Sequence, residues 1–355
     1  MIGKLLRLHN GLMLFLAMAI VSILTSTISK AQESAALYGK LGLTTPAVRQ
    51  GALGSCYFHA TIAALARTNP EVLRNAISRV SDGSYRVQFV DGPEESVYPA
   101  DIEFGRQHHF DHSDGDWVLV LMRGYAQRAL RQSLVESIQK STFVPFFARP
   151  LLLSMLNQSG YLLVAYDRAI REVVNQQGML DKAALKQKLA AQLSLLGIPS
   201  AQSDMLSSFL DEKGFFDQLA ETVEQNGEVF GAYRSMSEGG IPMRVMDAFT
   251  GNSKAGLVAD SRALPEQLNQ LHDGRIAMVV GTFASPSDLT YPSEHEDWFV
   301  PGHCYTAIDY QAATQSVVLR NPWGKRPEPD GMFTLPLPVF VQGFQFFASS
   351  RVAPR

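Results

Sequence analysis

Cys56 lies in a sequence context that favours a reactive thiol. Residues 50–58 read QGALGSCYF, and the segment that begins at Cys56 is Ala-rich and spaced like a helix. We therefore expect Cys56 in the first turn of a helix, where free N–H groups and the helix dipole lower the pKa of a thiol. Gln50 could turn back over the loop and aim its amide at the same space, as an acyl-transfer oxyanion requires. The alternative is a small buried cysteine on an apolar helix.

A histidine and an asparagine near the other end of the chain could complete such a site. His303 begins one β-like segment and Asn321 ends the next. Two adjacent antiparallel strands would place these ends side by side. The imidazole could then take the thiol proton, the Asn321 carbonyl could orient the ring, and Trp323 could shield that bond from water. The alternative is a structural histidine at a strand start, followed by a turn.

The elements that must position these residues change in character along the chain. Helical patterns dominate up to about residue 229, and three β-rich segments follow at 275–283, 303–310 and 316–323. A helical first part and a β-rich second part predict an α+β fold with two lobes.

Three segments together resemble the catalytic domain of calpains, which are papain-like cysteine proteases. These segments are QGALGSCYF, GHCYTAIDY and LRNPWG, and they occur in the order of the family. The resemblance covers roughly residues 38–126 and 231–347. It implies a papain-like two-lobed core, with the cysteine on a helical lobe and the histidine and asparagine on a β lobe.

The resemblance also implies a role for each matched residue. It makes Cys56 the nucleophile, His303 the general base and acid, and Asn321 the residue that orients the imidazole. It assigns the oxyanion hole to Gln50 and the backbone N–H of Cys56. The implied activity is that of an endopeptidase, which hydrolyses a protein or peptide substrate through an acyl-enzyme. Two other functions stay open, a catalytically inactive binding or regulatory module and a papain-fold acyltransferase.

The resemblance and the composition divide the chain into four parts. We predict a signal peptide or N-terminal anchor at 1–31, a helical Cys lobe at 32–126, a helical insertion at 127–230 and a β-rich His/Asn lobe at 231–355. The insertion has no counterpart in the resemblance. It is either a packed decoration of the helical lobe or a lid, substrate platform or autoinhibitory element.

The first residues have the pattern of a secretory signal. Lys4 and Arg7 precede an apolar run at 11–24, and small residues lead to Ala31. We therefore expect a periplasmic or secreted protein, or, if the segment is retained, one anchored in a membrane by residues 11–28. The formal net charge of −3 lacks the basic excess of nucleic-acid binding, so no nucleic-acid partner is expected.

No cofactor or metal is predicted. Calpain cores bind calcium, but residues 41–55 contain no Asp or Glu and no EF-hand spacing occurs, so we do not expect calcium dependence. Histidines and aspartates between 108 and 116 are suitable metal ligands, but their spacing fits no standard motif.

Two further residues, His59 and Cys304, could interact with the thiol of Cys56. His59 follows it by one helical turn and is a possible competing base. Cys304 is the only other cysteine, and strand alternation predicts that its side chain points away from that of His303. A Cys56–Cys304 disulfide would therefore need a distorted strand.

Overall fold

The computed structural model describes a set of segments that together hold both motifs. These are residues 36–140, 149–150, 153–154, 169, 173, 182–195, 198–212, 233–237, 239–259, 262–283, 298–325 and 329–351. The predicted signal or anchor at 1–31 and much of the helical insertion predicted at 127–230 lie outside the described residues.

The described residues form a mixed α+β fold, which confirms the predicted class at that level. The α-helices are α1 (Cys56–Thr68), α2 (Pro70–Asn75), α3 (Pro99–Gln107), α4 (Trp117–Lys140), α5 (Lys182–Leu195), α6 (Ser200–Glu212), α7 (Arg234–Ser237), α8 (Pro242–Thr250), α9 (Leu264–His272) and α10 (Leu337–Gly343). Helix α1 ends where it does because Pro70 begins the next helix and cannot continue the first one.

The strands form two antiparallel sheets. A small sheet holds β1 (Ile77–Arg79), β2 (Tyr85–Val87) and β3 (Glu95–Val97), in that order. A six-stranded sheet holds β4 (Ser253–Leu257), β5 (Ile276–Thr282), β6 (Cys304–Gln311), β7 (Ser316–Arg320), β8 (Met332–Pro336) and β9 (Phe344–Arg351). Its order is β4-β9-β5-β6-β7-β8. The three β-rich segments predicted from the sequence correspond to β5, β6 and β7.

The six-stranded sheet is buried on both faces in its middle. Every residue of β5 is buried, which explains why its sequence is a continuous apolar run. Val279 belongs to the core around α1 on one face, whereas Met278 and Val280 belong to a second core on the other face. Helix α1 thus lies directly on the sheet, and Thr306 donates from Oγ1 to the Ala60 carbonyl at 2.9 Å.

Helix α4 runs through the boundary predicted at residue 127. It continues to Lys140, and its side chains at Gln127, Arg128 and Arg131 are buried. Arg128 donates to the carboxylate of Asp91 at 2.6 Å. The beginning of the predicted insertion is therefore packed against the part of the chain that carries Cys56.

Within the segments described, no helix combines the length and the apolar character needed to cross a bilayer. The predicted signal or anchor lies outside these segments.

Candidate active site

The loop that precedes Cys56 is held by a backbone ladder to residues 109–112. Gln50 and Asp111 form an antiparallel bridge, and the Ala52 N–H donates to the His109 carbonyl at 2.7 Å. These hydrogen bonds fix the path of the loop before the helix begins.

The two glycines of the loop provide room for close backbone contacts. A Cβ atom on Gly51 would lie 2.0 Å from the carbonyl oxygen of His109, and one on Gly54 would lie 2.3 Å from that of Ser237. Any side chain at these positions would push neighbouring backbone away. The motif therefore needs glycine for space, rather than for a left-handed backbone conformation.

Cys56 is the first residue of α1, as the sequence predicts. The Ser55 carbonyl accepts the N–H groups of Phe58 and His59 at 3.0 and 3.1 Å, which closes the first turn. The N–H of Cys56 precedes this turn and has no acceptor within the helix. It is thus a donor that the helix leaves for a ligand beside the thiol.

His303 and Asn321 come together through the pairing of β6 with β7. The antiparallel register places Thr306 opposite Arg320, so the residue before β6 and the residue after β7 lie side by side. This confirms the predicted juxtaposition. His303 Nε2 donates to Asn321 Oδ1 at 3.0 Å, and both side chains are buried.

Aromatic rings enclose the His303–Asn321 hydrogen bond. The ring of Trp323 lies 4.7 Å from the imidazole, centroid to centroid, and Tyr305 meets it edge-on at 4.9 Å. The backbone N–H of Trp323 also donates to Asn321 Oδ1, at 3.1 Å. A bond shielded in this way holds the imidazole in one orientation and leaves Nδ1 free to face the sulfur.

The Cys56 sulfur receives hydrogen bonds from two side chains, His303 and Cys304. Together they lower the pKa of the Cys56 thiol to about 4, the hydrogen bond from Cys304 contributing most and burial opposing the shift. The same contact, together with burial, raises the pKa of Cys304 well above its ordinary value. The lowered pKa favours the thiolate form of Cys56 at neutral pH, and the raised pKa favours the protonated form of Cys304.

The contact with Cys304 corrects the expectation from strand alternation. His303 precedes the first residue of β6, so the alternation of side chains along the strand does not apply to it. Cys304 points towards α1 and belongs to the same core, whereas the next residue, Tyr305, faces the opposite core. The two side chains thus converge on Cys56. Both cysteines are free thiols.

Gln50 lines the same cleft as Cys56 and is anchored at both its backbone and its side chain. Its N–H donates to the Pro322 carbonyl and its Nε2 to the Leu53 carbonyl, each at 2.8 Å. The amide nitrogen carries two hydrogens, so this bond leaves one for a ligand.

Most of these groups face one open cleft of about 950 Å³. Gln50, Cys56, His303 and Trp323 line it, while Asn321 is buried behind the imidazole. The cleft therefore offers a thiolate, an imidazole and two N–H donors to the same bound molecule.

His59 does not act on the Cys56 thiol as His303 does, because both nitrogens of its ring have other partners. Its Nε2 contacts Asp111 Oδ1 at 3.0 Å, and its Nδ1 lies 3.0 Å from the Ser55 carbonyl. Both ring nitrogens are thus occupied, and the side chain is fully buried beneath the loop. The sequence hypothesis of a competing base is wrong, because His59 ties the loop to the helix start.

The aspartates between 108 and 116 also have separate partners. Asp114 accepts the N–H of Leu41 at 2.5 Å, and Asp116 pairs with Arg106. No group of three or more His, Cys, Asp or Glu side chains within the described residues is arranged to hold a metal ion.

Three residues of the site were not assigned a role there by sequence reasoning. Cys304 contacts the nucleophilic sulfur, Asp111 supports the loop through His59, and Thr282 accepts the N–H of His303 at 2.9 Å. The adjacency of Cys304 to His303 was the only available signal, since the other two contacts depend on strand register and loop pairing.

The chain matches no protein-family model and no curated protein. Among solved structures it is similar to PepW from Lactobacillus rhamnosis HN001 (DR20). The two chains share 12% identity over 86% of this chain and 80% of that one, with a TM-score of 0.30. Likeness at this level supports no conclusion about fold or activity.

Proposed function

We propose that this chain is an exported, calpain-like cysteine endopeptidase with a papain-like two-lobed core. The observation that carries the proposal is one chain of hydrogen bonds at the start of a helix. In it the Cys56 thiolate faces His303, and His303 is oriented by Asn321. A nucleophile, a base and an orienting group in this order are the parts that covalent acyl transfer needs. The family resemblance of the three motifs supports the choice of an endopeptidase.

The proposed reaction begins at the scissile carbonyl of a bound peptide. The Cys56 sulfur forms a bond to the carbonyl carbon, and the oxygen becomes an oxyanion that accepts hydrogen bonds from the Cys56 N–H and from Gln50 Nε2. The protonated His303 gives its proton to the leaving amine as the C–N bond breaks. Water, activated by the now neutral His303, then attacks the thioester and releases the acid.

Replacement of the nucleophile tests this proposal directly. We expect Cys56→Ala and Cys56→Ser to lower cleavage of a fluorescently labelled, unfolded protein by roughly 10⁴-fold or more, because the attacking thiolate is lost. Circular dichroism should show the fold unchanged in both variants. Turnover that persists in Cys56→Ala would contradict the assignment.

The same assay on the wild type, with the product masses measured, separates the endopeptidase from the two other functions. An inactive binding module would cleave nothing in the wild type. An acyltransferase would give products whose mass includes the amine acceptor instead of water.

A further inference from the structure

The only two cysteines of the chain meet at one point, and the geometry of the surrounding elements explains why. Thr306, which shares a strand face with Cys304, donates to the Ala60 carbonyl. Two strand residues advance by about 6.6 Å, and the four residues from Cys56 to Ala60 advance by about 6 Å. Because these distances match, the contact of Thr306 with Ala60 places Cys304 against Cys56.

The two thiols differ in their access to small molecules. Cys56 lines the open cleft, whereas Cys304 is buried behind it in the core around α1. Both side chains pack in the core around α1, Cys304 within it and Cys56 against it, and neither is engaged in a disulfide. A reagent that enters the cleft therefore reaches Cys56 first and leaves Cys304 directly behind the modified sulfur.

We infer that Cys56 and Cys304 form a redox-active dithiol that a hydroperoxide converts to an intramolecular disulfide. The formation of this disulfide requires only the contact between the two sulfurs. Its consequence, reversible loss of peptidase activity, rests on the proposed function.

The chemistry balances with the hydroperoxide as the two-electron oxidant. The Cys56 thiolate attacks the terminal oxygen, the O–O bond breaks, and the products are a sulfenic acid and an alkoxide or hydroxide that takes up a proton. The sulfur of Cys304 then attacks the Cys56 sulfur. The S–S bond forms, the S–O bond breaks, and the hydroxyl leaves as water with the Cys304 proton. In total, two thiols are oxidised and one hydroperoxide is reduced to an alcohol and water.

Cys304 determines what happens to the oxidised nucleophile. A sulfenic acid without a neighbouring thiol goes on to the sulfinic and sulfonic acids, which ordinary thiols do not reduce. A disulfide is reduced again by dithiothreitol through thiol–disulfide exchange. The buried second thiol thus turns irreversible damage into a reversible modification.

The test uses the purified full-length chain and hydrogen peroxide, with the intact mass as readout. After oxidation and blocking with iodoacetamide, we expect the wild type to have lost two hydrogen atoms and to carry no alkyl group. Dithiothreitol should restore both thiols. In Cys304→Ala and Cys304→Ser, Cys56 should instead gain one and then more oxygen atoms. The fraction of Cys56 that dithiothreitol recovers should then fall by about tenfold.

The outcomes separate this inference from the proposed function. If hydrogen peroxide converts wild-type Cys56 to the sulfinic acid and no disulfide forms, the dithiol is refuted even when the peptidase is active. If the disulfide forms in a chain that cleaves no peptide, the result supports the redox-active dithiol and contradicts the proposed endopeptidase function. Because the decisive mass change is measured on the wild type, poor folding of a Cys304 variant does not obscure the result.

Discussion

Cys56 is stabilised as a thiolate from three directions. The start of α1 supplies free N–H groups, the imidazole of His303 supplies a hydrogen bond and charge, and Cys304 supplies an S–H donor. The first two could be expected from the sequence, since a Gly-rich loop before a helix and a histidine at a strand start are local patterns. The third could not, because it depends on how closely α1 approaches β6.

The orientation of His303 by Asn321 is testable at the same scale. We expect Asn321→Ala to lower kcat by roughly tenfold to a hundredfold with little change in KM, because the imidazole loses its acceptor and its fixed orientation. Asn321→Asp keeps an acceptor oxygen and should recover part of the loss. Steady-state kinetics on a peptide substrate measures both. An unchanged kcat in Asn321→Ala would show that this hydrogen bond does not orient the base.

At the scale of elements, the junction between the loop and α1 determines where the thiol lies. The loop is paired with residues 109–112. Its last residue, Ser55, contacts the ring of His59, which in turn is held by a buried contact with Asp111. Asp111 also accepts the hydroxyl of Ser113. These contacts hold Gln50 and Cys56 as one unit.

Loss of the Asp111 carboxylate should therefore destabilise the fold. We expect Asp111→Ala to lower the free energy of unfolding by about 1–3 kcal/mol, because it leaves the buried Nε2 of His59 without its hydrogen-bond partner. Glu103→Ala is the matched control. It removes a carboxylate from an exposed ion pair with Arg106 and should cost less than about 1 kcal/mol. Urea unfolding compares the two, and equal losses would contradict a structural role for the buried pair.

The sequence predicted local elements better than contacts between them. The strands β5, β6 and β7 follow from short β-rich runs between turns, and α1 follows from its alanines and the proline after it. The bridge from Gln50 to Asp111 joins segments with no shared pattern. His59 was placed near the thiol by helical spacing alone, which cannot show what lies beneath the loop.

At the scale of the whole molecule, the site depends on the close packing of α1 against the six-stranded sheet. Ala60, Ala63 and Ala64 are buried on this helix, and small side chains let its axis come near the strands. The buried Arg320 adds a second link between the two parts, since its Nη2 donates to the Val48 carbonyl at 2.8 Å. Residues at opposite ends of the chain are brought together in this way.

A larger residue on that face of the helix should disturb both stability and activity. We expect Ala60→Leu to cost about 1–3 kcal/mol, because the added atoms have no space and α1 must move away from β6. Ala255→Leu on the exposed edge strand β4 makes the same chemical change and should stay within about 0.5 kcal/mol. Unfolding curves and peptidase assays of both variants measure the difference. Full activity and stability in Ala60→Leu would show that the close packing is not required.

The most direct test of the central claim is the pH dependence of alkylation at Cys56. Only the thiolate reacts with iodoacetamide, so the rate rises as pH passes through the pKa and is constant above it. We expect a midpoint near pH 4, and a higher midpoint in His303→Ala, because the hydrogen bond and positive charge of the imidazole are lost. Peptide mapping assigns the alkyl group to Cys56. A midpoint near the ordinary thiol value of 9.0, equal in both proteins, would contradict the account.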